Sequence, residues 1–240
     1  MSQSSLTPCK SGAAKGIDTK FVIYPLTGKE LVLLGANSGQ LVGFSSSNIA
    51  YDPMDKRIAG SLPGDMSYDD TAWSLYVLPQ DASQEELRVL AKDQLQTSGI
   101  RIYYDRVGTE FTHFQALDLA SDPCGVFGIS GWSEQSFDRS GLKQVQFTLT
   151  TNGEIGYYDR HTDSLEWDMA DNVITATDGD FVNQDFRIGM SVIYETGNQA
   201  KPYGYGLVTA VTATTLTLSN TTLTVATGEG KIHGSRIHAE

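Results

Sequence analysis

The residues able to do chemistry are few, and their spacings do not converge. His113, His161, His233 and His238 supply the imidazoles, the side chains most often used for proton transfer and metal binding. His233 and His238 flank Arg236, but no cysteine or carboxylate stands at zinc-ligand spacing from them. Asp178, Asp180, Asn183 and Asp185 begin like a calcium loop, yet position 189, where the closing glutamate would fall, is glycine. A solvated acidic turn is the plainer reading. Gly28 and Lys29 lack the preceding glycine of a phosphate loop, and no nucleophile elbow or paired-histidine helix motif occurs. Asp69–Asp70 and Glu85–Glu86 are paired acids, the second pair suited to the first turn of a helix. Residues 203–206 read Tyr-Gly-Tyr-Gly, a run that could contact a sugar but is by default a β-turn. Cys9 and Cys124 are too isolated for a redox or metal motif, and two free thiols are favoured over one long-range disulfide. The expectation is a protein without catalytic residues, cofactor or metal.

Composition points the same way. Of 240 residues 40% are hydrophobic and 19% charged, enough apolar material for one large or two modest β-domains and too little charge for a disordered chain. Thr is abundant after position 147, which suits strands. The net charge is −12, spread as −7 before Leu165 and −5 from it onward, so neither part is a basic docking arm for nucleic acid. Such acidity serves solubility, or a surface that stays near DNA without holding it. Residues 1–16 are polar, so no secretory signal is expected, and no stretch approaches the ~20 apolar residues that span a bilayer. The sequon Asn220–Thr222 is then read as inert.

Alternation and turn signals place the elements. Short strands are expected at 21–24, 30–34 and 41–44, followed by a long loop over 45–70 that holds Pro53, Gly60, Pro63 and Gly64. A strand at 73–78 leads to one amphipathic helix over 84–96, with Ser83 at its N-cap, Leu87, Leu90, Ala91 and Leu95 as its stripe, and Gly99 closing it. Strands at 100–104 and 112–117 form a hairpin, and 126–132 pairs with 144–151 across a polar connection, with 155–158 extending the sheet. Residues 160–163 read as a linker, after which strands at 172–177, 191–194, 207–211, 215–218 and 223–225 suggest a second β-module. The fold class is mainly β: a sandwich or barrel with one flanking α-helix over residues 1–163, and a small all-β domain, Ig-like or barrel, over 164–240.

The Leu62-Pro63-Gly64 run before a strand, the helix at 84–96, and the pair 125–132 with 142–151 resemble the major tail tube protein of long, non-contractile bacteriophage tails (siphovirus type). The resemblance covers roughly residues 19–158. The segments 172–181, 186–192 and 209–218 are similar to small β-domains appended to virion proteins on the tube exterior. The resemblance implies a structural virion protein: hexameric rings that stack into a tail tube, with an acidic channel through which DNA passes unbound. It implies assembly in the host cytoplasm around a tape measure protein, with tail tip (initiator) and tail terminator proteins as further partners and no membrane. It also implies that the loop at 45–70 contacts the neighbouring ring, which makes Tyr51, Met54, Lys56 and Arg57 the candidate contacts. Glu134 and Asp138 are the candidate channel acids. The alternative from another class is a tail- or baseplate-associated module that binds carbohydrate or a host surface through Trp73, Trp132, Trp167 or Tyr203.

Overall fold

The structure, a computed structural model, describes residues 20–24, 30–34, 36–51, 60–78, 80–107, 110–134, 143–161, 165–176, 180–198, 201–222 and 226–235. Among the described residues the chain is mainly β with one helix, and its antiparallel sheets are not closed into a barrel. The first part runs β1 (Lys20–Ile23), β2 (Leu31–Val32), β3 (Ala36–Ser38), β4 (Phe44–Tyr51), β5 (Gly60–Tyr68) and β6 (Thr71–Tyr76). Helix α1 (Ala82–Lys92) and β7 (Gln96–Thr97) follow, then β8 (Ile100–Val107), β9 (Glu110–Leu117), β10 (Val126–Glu134), β11 (Gln144–Asn152) and β12 (Ile155–His161). The rest is strand: β13 (Leu165–Ala170), β14 (Val173–Ala176), β15 (Ser191–Asn198), β16 (Lys201–Val211), β17 (Thr215–Ser219), β18 (Ala226–Gly230) and β19 (Ile232–Ser235).

Two sheets face each other in the first part. One is five-stranded, in the order β3-β6-β11-β10-β7; the other contains β2-β1-β8-β9-β12. Alternation along β11 turns Val145, Phe147 and Leu149 inward, where they meet Phe21, Ile23, Ile100 and Ile102 from the facing sheet. Phe21 meets Trp73 edge-on at 4.9 Å, and Trp73 stacks with Phe147 at 6.4 Å. Leu87 and Leu90 of α1 join the same core, so the helix closes one flank of the sandwich. The second sheet does not stop at β12. It continues through β19 into β15, β16, β17, β14, β13 and β18, a single antiparallel sheet of twelve strands. A second core, with Trp167, Ile174, Phe181, Val192, Tyr194 and Leu216, fills the last part.

Several local expectations change. The N-cap of α1 is Asp81, whose carboxylate accepts from the Gln84 N–H, and Ser83 is the residue that donates to that carboxylate. The helix ends at Lys92 with Asp93 as its cap, so Leu95 lies outside it and is half-exposed, and Gly99 instead accepts at its carbonyl from the Tyr24 N–H. Residues 160 and 161 are no linker: they belong to β12 and pair with Gly234 and His233 of β19. The Tyr-Gly-Tyr-Gly run lies within β16 and is not a turn; a Cβ on Gly204 would come within 2.4 Å of the Tyr194 ring. The segment at 45–70 is not an irregular loop but a two-stranded hairpin, β4 against β5, with residues 52–59 outside the described residues. Its alternation was masked by Pro63, which sits opposite Asn48 beside a register shift, a position that tolerates a strand proline.

The base of that hairpin is tied down by a side chain acting as a strand. The Val42 N–H donates to Gln115 Oε1 at 2.8 Å, and Gln115 Nε2 donates back to the Val42 carbonyl at 2.9 Å. Both residues are buried. Replacing Gln115 with Ala leaves the buried Val42 N–H unpaired and its carbonyl with only the Tyr157 hydroxyl at 3.4 Å, and we expect a loss of roughly 1–3 kcal/mol in urea unfolding. A loss below about 0.5 kcal/mol would contradict this role. Burial also pushes the Tyr24 and Tyr158 phenols far up and that of Tyr194 to about 12. Folded pKa values above the ordinary one mean stability present below pH 10 and lost as pH rises past it. Ultraviolet titration of the 11 tyrosines should therefore show a late-ionising set that appears only with alkaline unfolding.

Candidate assembly surfaces

The buried faces leave three features open: a projecting hairpin, an uncharged sheet face with short-capped edges, and a groove beside α1. The hairpin comes first because it forms a sheet of its own. Among the described residues, β4 and β5 pair with each other and make no extensive contact with any other element. Each arm is eight or nine residues, so the hairpin reaches ~25 Å from its base. Its root is ordered by Ser45 Oγ donating to Asp69 Oδ1 at 2.9 Å and the Asp69 N–H donating to the Gly43 carbonyl. Phe44, at the root, is 60% exposed. Of the residues expected to contact a neighbouring ring, Tyr51 closes β4 opposite Gly60; Met54, Lys56 and Arg57 lie outside the described residues.

The solvent side of the five-stranded sheet carries no charge along its centre. Reading across the register, Ser74, Gln146 and Ser133 form one row, and Ala72, Thr148 and Ser130 the next, with Thr150 beyond. Ser38 and Ser74 share a hydroxyl hydrogen bond at 2.8 Å. The two edges are capped only by β3, three residues, and β7, two residues. β7 pairs with Phe127 and Gly128, so residues 129–134 of β10 run past it; β3 pairs with Ser74 and Leu75, so residues 71–73 of β6 run past it. These open stretches stand at the same level of the sheet, since Ser130 pairs with Thr148 and Thr148 with Ala72.

A bulge in β10 shapes the third feature. Ser130 pairs with Thr148 and Ser133 with Gln146, one residue too many on β10, and Gly131 takes up the difference at φ +61°. The shift turns Trp132 and Glu134 toward the helix side, where they line a groove of about 570 Å³ with Leu78 and Glu85. Trp132 stacks on Phe147 at 6.0 Å, half-buried. Glu134 is ion-paired with Lys143, so it does not stand in the uncharged face, and Asp138 lies outside the described residues.

Away from these surfaces, Arg101 joins the two parts of the chain. It is 2% exposed and lies over three rings, Tyr24 at 4.4 Å, Phe114 at 5.0 Å and Tyr203 at 5.2 Å. Its Nη1 donates to Glu195 Oε1 at 3.0 Å. Burial works against its charge, and the oxygens of Tyr24, Tyr103 and Glu195 more than offset that, holding the guanidinium protonated. Sequence reading missed this residue, because a lone arginine between two isoleucines carries no spacing signal.

Three of the four residues proposed for carbohydrate contact are otherwise employed, and the fourth, Trp132, lines the groove beside α1. Trp73 and Trp167 are core residues, 3% and 2% exposed, and Tyr203 meets Tyr24 edge-on at 5.3 Å. His233 is buried against Phe114, and Thr112 and His113 share a hydrogen bond. Asp180 caps its own turn at the Asn183 N–H, and Arg187 pairs with Asp185. Among the described residues no group of three metal-ligating side chains comes together, and no helix is long and apolar enough to cross a membrane.

No protein-family model matches the sequence, and no curated protein matches it. Several solved structures are similar over part of the chain. The anti-feeding prophage tube-terminating cap is 14% identical, covering 66% of this chain and 99% of its own, with a TM-score of 0.44. The SPP1 tail tube is 16% identical, covering 58% and 79%, at 0.40. The Hcp protein is 11% identical, covering 59% and 98%, at 0.33. At such identities and scores this is a partial likeness in the course of the chain and does not make it a member of a family.

The arginine cage predicts an asymmetric response to mutation. Arg101→Ala should cost about 2–4 kcal/mol by opening space among three rings and removing the cation. Glu195→Gln should cost less than about 1 kcal/mol, since that carboxylate is 40% exposed. Equal losses in the two variants, read by denaturant unfolding, would show that the ion pair and not the cage is what matters.

Proposed function

We propose that this chain is a structural subunit that polymerises with copies of itself into a tail tube. The observation that carries the reading is the bare β4–β5 hairpin. A two-stranded ribbon is marginally stable alone in water, so one this long, without support from its own body, is suited to being completed by another molecule. The sheet edges favour the same reading. Pairing the open stretch of β10 with that of β6 on a second copy would close the five-stranded sheets into a ring and remove edges that otherwise aggregate. We take the ring as hexameric and the stack of rings as the tail tube of a siphovirus-type phage, in line with the sequence resemblance.

On this reading the solvent face of the five-stranded sheet lines the channel. Its Ser, Thr and Gln rows would give DNA a hydroxyl and amide wall without cations to hold phosphates. Of the two candidate channel acids, Glu134 is turned to the helix side by the bulge, so an acidic contribution at the end of this face would fall to Asp138. We further propose that residues 1–163 form the tube domain and 164–240 a β-domain on the exterior. The remaining partners are those of tail assembly in the host cytoplasm: the tape measure protein within the lumen, an initiator at the tip and a terminator.

Negative-stain electron microscopy of the purified chain across concentration tests this. Rings or hollow tubes are expected from the intact chain. Replacing residues 52–59 with a Gly/Ser stretch of equal length should abolish stacking while leaving the folded subunit intact by circular dichroism. Saturable binding of a glycan by a persistent monomer would instead establish the host-surface module.

A further inference from the structure

Building on the assembly reading, we infer that the groove beside α1 is the receptor for the hairpin of a second copy, which docks there through residues 52–59. The groove lies between the N-terminal end of α1 and the bulged end of β10. Its floor is apolar, with Val77, Leu78, Val145 and the half-buried Trp132; Leu78 is 39% exposed. Apolar surface held open in a concave site is what a partner's side chains are drawn to cover. The rim carries Asp81, Glu85 and Glu134, with Arg88 paired to Glu85 and Lys143 to Glu134, which leaves it one acid in excess.

Residues 52–59 read Asp-Pro-Met-Asp-Lys-Arg-Ile-Ala. Met54 and Ile58 match the floor, and the adjacent Lys56 and Arg57 match the acidic rim. Met is the apolar side chain best able to fit an irregular pocket, and Arg the cation best able to engage a carboxylate in a fork. No other segment of this length that lies outside the described residues combines two large apolar side chains with a basic doublet.

The described strands of the hairpin make no extensive contact with α1 or β10 of their own chain, which favours a contact between copies. The hairpin joins the body at Thr71, the first residue of β6, and the groove begins at Val77, just past its last residue. Six strand residues separate them by ~20 Å, so hairpin and groove stand at opposite ends of the five-stranded sheet. A protrusion at one end and its receptor at the other make a heterologous contact, which repeats along one axis wherever the rotation does not close it into a ring. The bulge at Gly131 is then a functional device: without the extra residue Trp132 and Glu134 would face the opposite side of the sheet.

The test is photocrosslinking in the full-length chain with p-benzoylphenylalanine in place of Met54, followed by peptide mapping and electron microscopy of the same sample. Crosslinks from position 54 to residues 77–88 or 132–145 of another copy are expected. A charge swap gives the second arm. Glu85→Arg should raise the concentration needed for stacking about tenfold, and Lys56→Glu with Arg57→Glu should restore it in the same chain. Tubes whose crosslinks map elsewhere, or to the same copy, overturn the groove assignment and leave the tube reading standing. Failure of the intact chain to form any ring or tube overturns both.

Discussion

A guanidinium cannot escape burial by giving up its proton, so a buried arginine forces its surroundings to be built around it. Arg101 imposes that demand on this fold. It lies between Ile100 and Ile102, which face the sandwich core, and its own side chain points to the other side of the sheet with Tyr103. That other side is a floor of rings, Tyr24, Tyr103, Phe114 and Tyr158, and it is covered by Ile193, Tyr203 and Tyr205 from the last part of the chain. Without β15 and β16 the floor and the cation would both be open. Without the floor, β15 and β16 would carry an unpaired Glu195 and exposed aromatics. β19 completes the coupling by pairing with β12 on one side and β15 on the other.

This division of labour fixes which surfaces remain for other molecules. The sheet containing β1, β8 and β9 is covered on both faces and has no surface to offer. The five-stranded sheet is covered on one face only, and its free face is uncharged across successive rows. A net charge of −12 therefore sits elsewhere, and the neutral face gains neither the attraction nor the repulsion that charges would bring to a polyanion. Like net charge on two copies opposes their approach, so any contact between them has to be carried by apolar and backbone groups.

Much of this arrangement was legible in the sequence. Alternation located the β10–β11 pair and the apolar stripe located α1, because each buries one face against one core, while the β8–β9 hairpin, buried on both faces, was legible from its turn signal at 107–108. What failed has a physical reason in each case. Ser83 and Glu86 matched a capping pattern, but Asp81 is a stronger acceptor two residues earlier and captured both the Gln84 N–H and the Ser83 hydroxyl. The hairpin at 45–70 offered no apolar alternation to read, and Pro53, Gly60, Pro63 and Gly64 marked it as loop; alternation is a signal of burial rather than of strand. Residues 160–161 read as a linker because polar strand residues look like loop until their partner, β19, returns from seventy residues away. The bulge at Gly131 was visible only as a glycine in a strand, and Arg101 as one charge in an apolar run.

The bulge, the hairpin and the groove share a direction. Had the hairpin and its receptor stood at the same end of the sheet, two copies would have satisfied one another about a two-fold axis and growth would have stopped at a pair. Their separation along β6 means that every docking event uses one hairpin and leaves another free. Such an assembly has a polarity set by the order of β5, β6 and α1 in the chain, with hairpins at one end and empty grooves at the other. An assembly of this kind has no intrinsic length. Its beginning and its end must be supplied from outside: a surface that seeds the groove end or the hairpin end, and another that occupies the last one offered. On the proposed docking, that requirement follows from the opposite placement of two features on one strand.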